Sequence, residues 1–213
     1  MSATAIFPAA LARLLASVAV ATALHVPSAA AEPLFEADPP GTFELPVIAE
    51  AAEFAVRDAA TGKELRLSDL RGRAVVLSLI YASCADGNAC PLATATLAAV
   101  QRRIRERSLD ERVVLLSVTF DEERDTAEVL RRYGETAGAG ESWIFATPET
   151  RERREALLAG YDQRIVRAPD GTIVHPLRVH LIDPRGRVRQ IYSQSYLRPD
   201  VLLSDVETVL AEH

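Results

Sequence analysis

Two stretches of the chain are apolar almost without interruption: Ala74 to Tyr81 (AVVLSLIY) and Arg112 to Phe120 (RVVLLSVTF). Runs of this length, rich in β-branched residues and without alternation, predict strands buried on both faces, as in a parallel sheet. Between them, Pro91 to about Arg107 sets Leu92, Leu97, Val100 and Ile104 along one helical face with arginines opposite, and Pro91 suits a first helical turn. Ahead of this unit, Phe54 to Leu67 forms two short alternating segments around Thr61-Gly62, a hairpin signal. After it, Asp125-Thr126-Ala127-Glu128 resembles a capping box and predicts a helix to about Tyr133, stopped by the glycines at 134, 138 and 140.

The remaining pattern predicts a short strand over Trp143 to Ala146, a helix over Glu149 to Gly160, and two strands flanking Asp170-Gly171. A hairpin follows, Arg178 to Asp183 and Arg187 to Ser193, around Pro184-Arg185-Gly186, and Asp200 to Glu212 closes the chain as a helix. Parallel strands joined by a helix, then an antiparallel pair and a terminal helix, predict an α/β fold over residues 50–213. It is a thioredoxin-like mixed sheet with helices on both faces.

The N-terminus follows another pattern. Residues 1–31 carry one charge, Arg13, then an apolar run from Leu14 to Leu24 broken by Pro27-Ser28, and end in Ala29-Ala30-Ala31. About 11 apolar residues suit a signal-peptide core and fall short of a membrane span. Cleavage before Glu32 is expected, giving a periplasmic or otherwise exported protein, soluble after cleavage, with membrane association only through a client or an uncleaved signal. Residues 32–49, with several prolines and few large apolar groups, predict an extended linker. Without Arg13 the chain has 23 basic against 30 acidic residues, a net charge near −7. That balance argues against a nucleic-acid or anionic-membrane surface.

Chemistry concentrates in two cysteines six positions apart, Cys84 and Cys90, in the loop between the first buried strand and its helix. In an oxidising compartment such a pair is a disulfide, a redox couple or a soft-metal site. Met1 is the only methionine, which excludes a thioether copper site. A helix N-terminus stabilises negative charge, so a thiolate beside Pro91 is expected to ionise readily.

Several further marks fall in order along residues 50–212. They are Gly72 before the apolar strand, Tyr81-Ala-Ser-Cys84, Cys90-Pro91, Ser117-Val-Thr-Phe-Asp121 with Arg124-Asp125-Thr126, Trp143, and His175 eleven residues before Gly186. With these the chain resembles the Sco/SenC family, thioredoxin-fold copper chaperones associated with cytochrome oxidase assembly. The resemblance implies a copper ion, Cu(I) or Cu(II), on Cys84, Cys90 and His175, and a copper-receiving partner such as the copper subunit of cytochrome oxidase. The family motif has three residues between its cysteines, and this chain has five, Ala85 to Ala89. Gly87 is expected to help this longer loop curl, and Asp86 and Asn88 are candidate hard ligands or loop caps. Pro176 restrains the backbone of His175. His180, five residues on, alternates to the other side of a strand and is the reserve ligand.

Other readings remain open at this level. The pair can be a structural disulfide, and His175 an ordinary hairpin histidine. Asp121 and Asp125 are expected to cap turns or the helix, and Trp143 to be core or a hydrophobic partner surface. Three functions compete: a metallochaperone needing no catalytic turnover, whose metal-free form cycles between dithiol and disulfide; a thiol–disulfide oxidoreductase acting on a copper-site client; and a thiol peroxidase. The last expects proline and threonine ahead of its cysteine, where Tyr81-Ala82-Ser83 stand here. The oxidoreductase does not need His175, whereas the chaperone does.

Overall fold

The computed structural model describes Met1 and residues 36–213, so the segment expected to direct export lies, Met1 apart, outside the described residues. The elements run β1 (Ala49–Glu50), β2 (Ala55–Asp58), β3 (Glu64–Arg66), a 3-10 turn (Leu67–Leu70), β4 (Ala74–Ile80), α1 (Cys90–Glu106), β5 (Val113–Thr119), α2 (Ala127–Ala137), β6 (Trp143–Thr147), α3 (Arg151–Gly160), β7 (Val166–Arg167), β8 (Ile173–Val174), β9 (Val179–Ile182), β10 (Arg187–Tyr192) and α4 (Pro199–Ala211). One sheet has the order β1-β10-β9-β4-β5-β6-β2-β3, and β7 and β8 form a separate hairpin. β4, β5 and β6 are parallel, while β9 joins β4 antiparallel.

Every residue of β4 and β5 is buried, as their uninterrupted apolar runs require of strands covered on both faces. α1 packs against both α2 and α4 on one side. α3 approaches from the other, where Tyr161 at its end meets the His180 ring of β9 edge-on at 5.1 Å. The result is the mixed α/β sheet of the thioredoxin-like plan.

Three local details differ from the sequence reading, each for a physical reason. The N-cap of α2 is Thr126, whose hydroxyl accepts the Val129 N–H at 3.3 Å, because Asp125 is turned inward to other partners. α2 also runs through Gly134 to Ala137 and ends at Gly138, whose φ of +73° is left-handed. Gly134 does not stop the helix; it makes room, since a Cβ there would lie 2.9 Å from the Phe145 ring. Finally, the segment before β1 has no helix or strand from Glu36 to Ile48 but is seated on the domain. Gly41 N–H donates to Thr208 of α4 at 2.9 Å, the Ser204 hydroxyl donates to the Asp38 carbonyl, and Leu45 is buried with its carbonyl accepting Arg189.

The β9–β10 turn sits where Pro184-Arg185-Gly186 predicts it. Gly186 has φ +80°, donates its N–H to Asp183 O at 2.8 Å, and faces the Arg71 guanidinium. That guanidinium is the far end of a flexible side chain and can withdraw, so backbone strain governs a substitution here. Gly186→Ala is expected to destabilise the fold by ~1–2 kcal/mol, the cost of a left-handed L-residue, read as a lower urea midpoint.

Candidate metal centre

The centre begins where β4 ends. Beyond Ile80, Tyr81 stays buried, and the chain turns so that Cys84 N–H donates to Tyr81 O at 3.3 Å. The start of the loop is tied to the end of β5 by Asp125, which accepts the Ala82 N–H at 2.8 Å and the Thr119 hydroxyl at 2.5 Å. Burial raises the Asp125 carboxyl above its usual range, against these two hydrogen bonds, which lower it. Asp125 is thus structural, as expected, but as a tie between strands and not a helix cap.

The five-residue insert is curled by Asp86. Its carboxylate accepts the Asn88 N–H at 2.9 Å and its carbonyl accepts the Ala89 N–H at 3.0 Å, an Asx-type turn. Gly87 has no left-handed φ, so the curl does not draw on glycine's special freedom. Cys90 then opens α1, with Pro91 in the first turn.

His175 arrives from the other end of the chain. It follows β8, and three attachments hold this hairpin over the loop. Tyr81 OH donates to Ile173 O at 3.2 Å, Arg124 donates to Gly171 O at 3.0 Å, and Arg167 of β7 donates to Asp121 at 3.0 Å. Asp121 is fully buried and also accepts Arg124 Nε at 2.5 Å. The His175 ring lies edge-on to Phe120 at 4.9 Å and to Tyr81 at 5.7 Å. No described residue has a cis peptide bond, so His175–Pro176 is trans.

Cys84, Cys90 and His175 converge: each offers a donor atom, and these all lie within 4.8 Å of one another. Cys90 Sγ is 3.5 Å from His175 Nε2, and both cysteines are free thiols. Among the described residues this is the one such group, and His180 is not in it. His180 is buried beside Tyr161, and burial lowers its pKa to about 4. Asp86 and Asn88 serve the turn, and Trp143 is core, donating Nε1–H to Ser117 at 3.0 Å. Sequence reasoning missed Gln163, which donates Nε2–H to Pro176 O at 2.9 Å, and no pattern in the chain points to it.

One expectation is reversed. Cys90 has no exposed surface, and burial pushes its thiol well up, outweighing the opposing backbone hydrogen bond at Tyr81. Tyr81 is likewise pushed up by burial to about 12, and burial lowers His175, keeping its imidazole neutral at neutral pH. In the reduced, metal-free protein, iodoacetamide at about pH 8 is expected to label Cys84 and spare Cys90. Labelling of Cys90 should require a pH well above the ordinary thiol value of about 8.5. Peptide mass spectrometry over a pH series checks this, and equal labelling of both sulfurs contradicts it.

With the geometry in place, comparison with known proteins is direct. The SCO1/SenC family model matches residues 48–211. An SCO1 protein homolog of Bacillus subtilis (strain 168) is 26% identical over 151 residues, 69% of this chain and 76% of that protein. The structure of Arabidopsis thaliana ScoI with copper bound superposes with a TM-score of 0.67 at 22% identity, covering 78% of this chain and all of the other. A structure of BsSco, in which a disulfide switch was identified in that member of the Sco family of cytochrome c oxidase assembly proteins, superposes at 0.67 and 23% identity, covering 80% and 99%. At these identities the superpositions speak for the fold, and the family model, matched along most of the chain, speaks for membership: the chain belongs to the SCO1/SenC family.

Proposed function

We propose that this protein is an exported copper chaperone that holds one copper ion on Cys84, Cys90 and His175 and delivers it to a cuproprotein, with a respiratory oxidase copper subunit as the expected client. The observation that carries the reading is the convergence of two sulfurs and one imidazole nitrogen within 4.8 Å, despite the longer loop. The donor set fits the ion. Two thiolates suit Cu(I), and an added imidazole makes a set that Cu(II) also accepts. Three protein ligands leave a position open, whereas closed zinc sites use four.

Family membership and the copper-bound Arabidopsis ScoI support copper as the cargo. The description of BsSco as a cytochrome c oxidase assembly protein supports the choice of client. The pattern of residues 1–31 supports export. No helix among the described residues is long and apolar enough to cross a membrane.

The same two sulfurs allow a redox cycle in the metal-free chain: closing a Cys84–Cys90 disulfide gives up two protons and two electrons to an oxidant of the exported compartment. The disulfide switch of BsSco supports this as a companion to copper binding. As the sole function it is less favoured, since it gives His175 no role and offers a buried, poorly ionised Cys90 as one of its thiols.

Titration of the reduced full-length protein with Cu(I) and Cu(II) tests the proposal. One copper per chain is expected, with a thiolate-to-copper charge-transfer band for Cu(II). Cys84→Ser or Cys90→Ser should abolish the band, and His175→Ala should displace it while two-thiolate Cu(I) binding persists. A folded, reduced protein that takes up neither ion would sink the chaperone reading.

A further inference from the structure

Gln163 lies outside the metal group, yet its side chain ends one residue from it. α3 finishes at Gly160, Asp162 takes a left-handed φ of +47°, and Gln163 N–H returns to Leu158 O at 2.8 Å. This turn sends the Gln163 side chain inward, where 4% of the residue is exposed. Its Nε2 donates to Pro176 O at 2.9 Å, and Arg178 binds the same turn through the Asp162 carbonyl and carboxylate, each at 2.9 Å. The other amide atom, Oε1, is buried and has no partner among the described residues, so the bond to Pro176 is the contribution of this side chain.

The Pro176 carbonyl has a second approach, from His175 Nδ1 at 3.1 Å. A carbonyl oxygen has two lone pairs and can only accept, so both neighbours must donate. Nδ1 therefore carries the proton. A neutral imidazole has one N–H, so Nε2 is bare, and Nε2 is the atom that faces Cys90 Sγ at 3.5 Å. Everything hangs on where the Pro176 carbonyl points. Proline fixes φ but leaves ψ free, and ψ sets the carbonyl direction. Gln163 supplies the missing restraint.

We infer that Gln163 is a positioning residue for His175: by fixing the Pro176 carbonyl, it holds the imidazole as the Nδ1–H tautomer and presents bare Nε2 to the metal. The inference rests on the proposed role of His175 as a ligand. It follows the general rule that the hydrogen bond on one ring nitrogen sets the ligating state of the other.

The test uses the full chain, reduced and metal-free. Long-range 1H–15N spectra report the tautomer of each histidine, with His175→Asn assigning the signal. Wild type is expected to show Nδ1–H and bare Nε2 at His175. Gln163→Met keeps the shape and removes the donor; it should mix the tautomers and weaken Cu(II) binding by roughly 10- to 100-fold, with a displaced charge-transfer band. Wild-type His175 protonated on Nε2 overturns the inference, whether or not the variant folds. So does a folded Gln163→Met whose tautomer and Cu(II) affinity match wild type. The spectra need no copper, so they judge Gln163 even if the wild type proves to bind none, an outcome that would count only against the chaperone reading.

Discussion

The parallel register of β4 and β5 is the constraint from which the site follows. Because the two strands run the same way, what leaves each of them emerges at the same end of the sheet. β4 releases the Cys84–Cys90 loop there, and β5 releases Phe120, Asp121 and Asp125. β9 pairs antiparallel to β4, with Val179 opposite Ser78, so β9 begins near where β4 ends. The chain just ahead of β9, with His175, is thereby delivered to the same place. Residues 85 positions apart meet because three strand ends coincide. The Asp125 carboxylate, bonded to Ala82 and Thr119, then locks the two exits together.

Burial decides the chemistry of the metal-free site. Cys90 is fully buried and His175 half-buried, and desolvation favours the neutral form of each. The site therefore rests as a neutral thiol beside a neutral imidazole, whose bare nitrogen is already turned inward. An arriving cation reverses the balance, since a coordinating thiol is deprotonated outright. On the proposed copper site, metal binding would therefore release protons.

Much of this was legible in the chain. β4 and β5 announced themselves because strands buried on both faces must be apolar throughout, and the loop between β4 and α1 marked both sulfurs. His175 was legible only through resemblance to a family, since nothing local to Thr172–Pro176 distinguishes a ligand from a hairpin histidine. Contacts between distant segments were not readable. The cap of α2 moved from Asp125 to Thr126 because Asp125 is drawn to Ala82, and Gly134 serves Phe145 and not a helix end. The helix terminus beside Cys90 is visible in the local sequence, whereas the burial that raises its thiol is set by the whole fold. Gln163 acts through Pro176 in the folded chain alone.

The most direct test of the account is X-ray absorption at the copper edge of the loaded, full-length protein. Two sulfur scatterers with one imidazole in the Cu(II) form are predicted, the imidazole signal disappearing in His175→Ala. A copper shell of nitrogen and oxygen without sulfur, or an imidazole signal that survives in His175→Ala, would contradict the assignment of Cys84, Cys90 and His175 as the copper site.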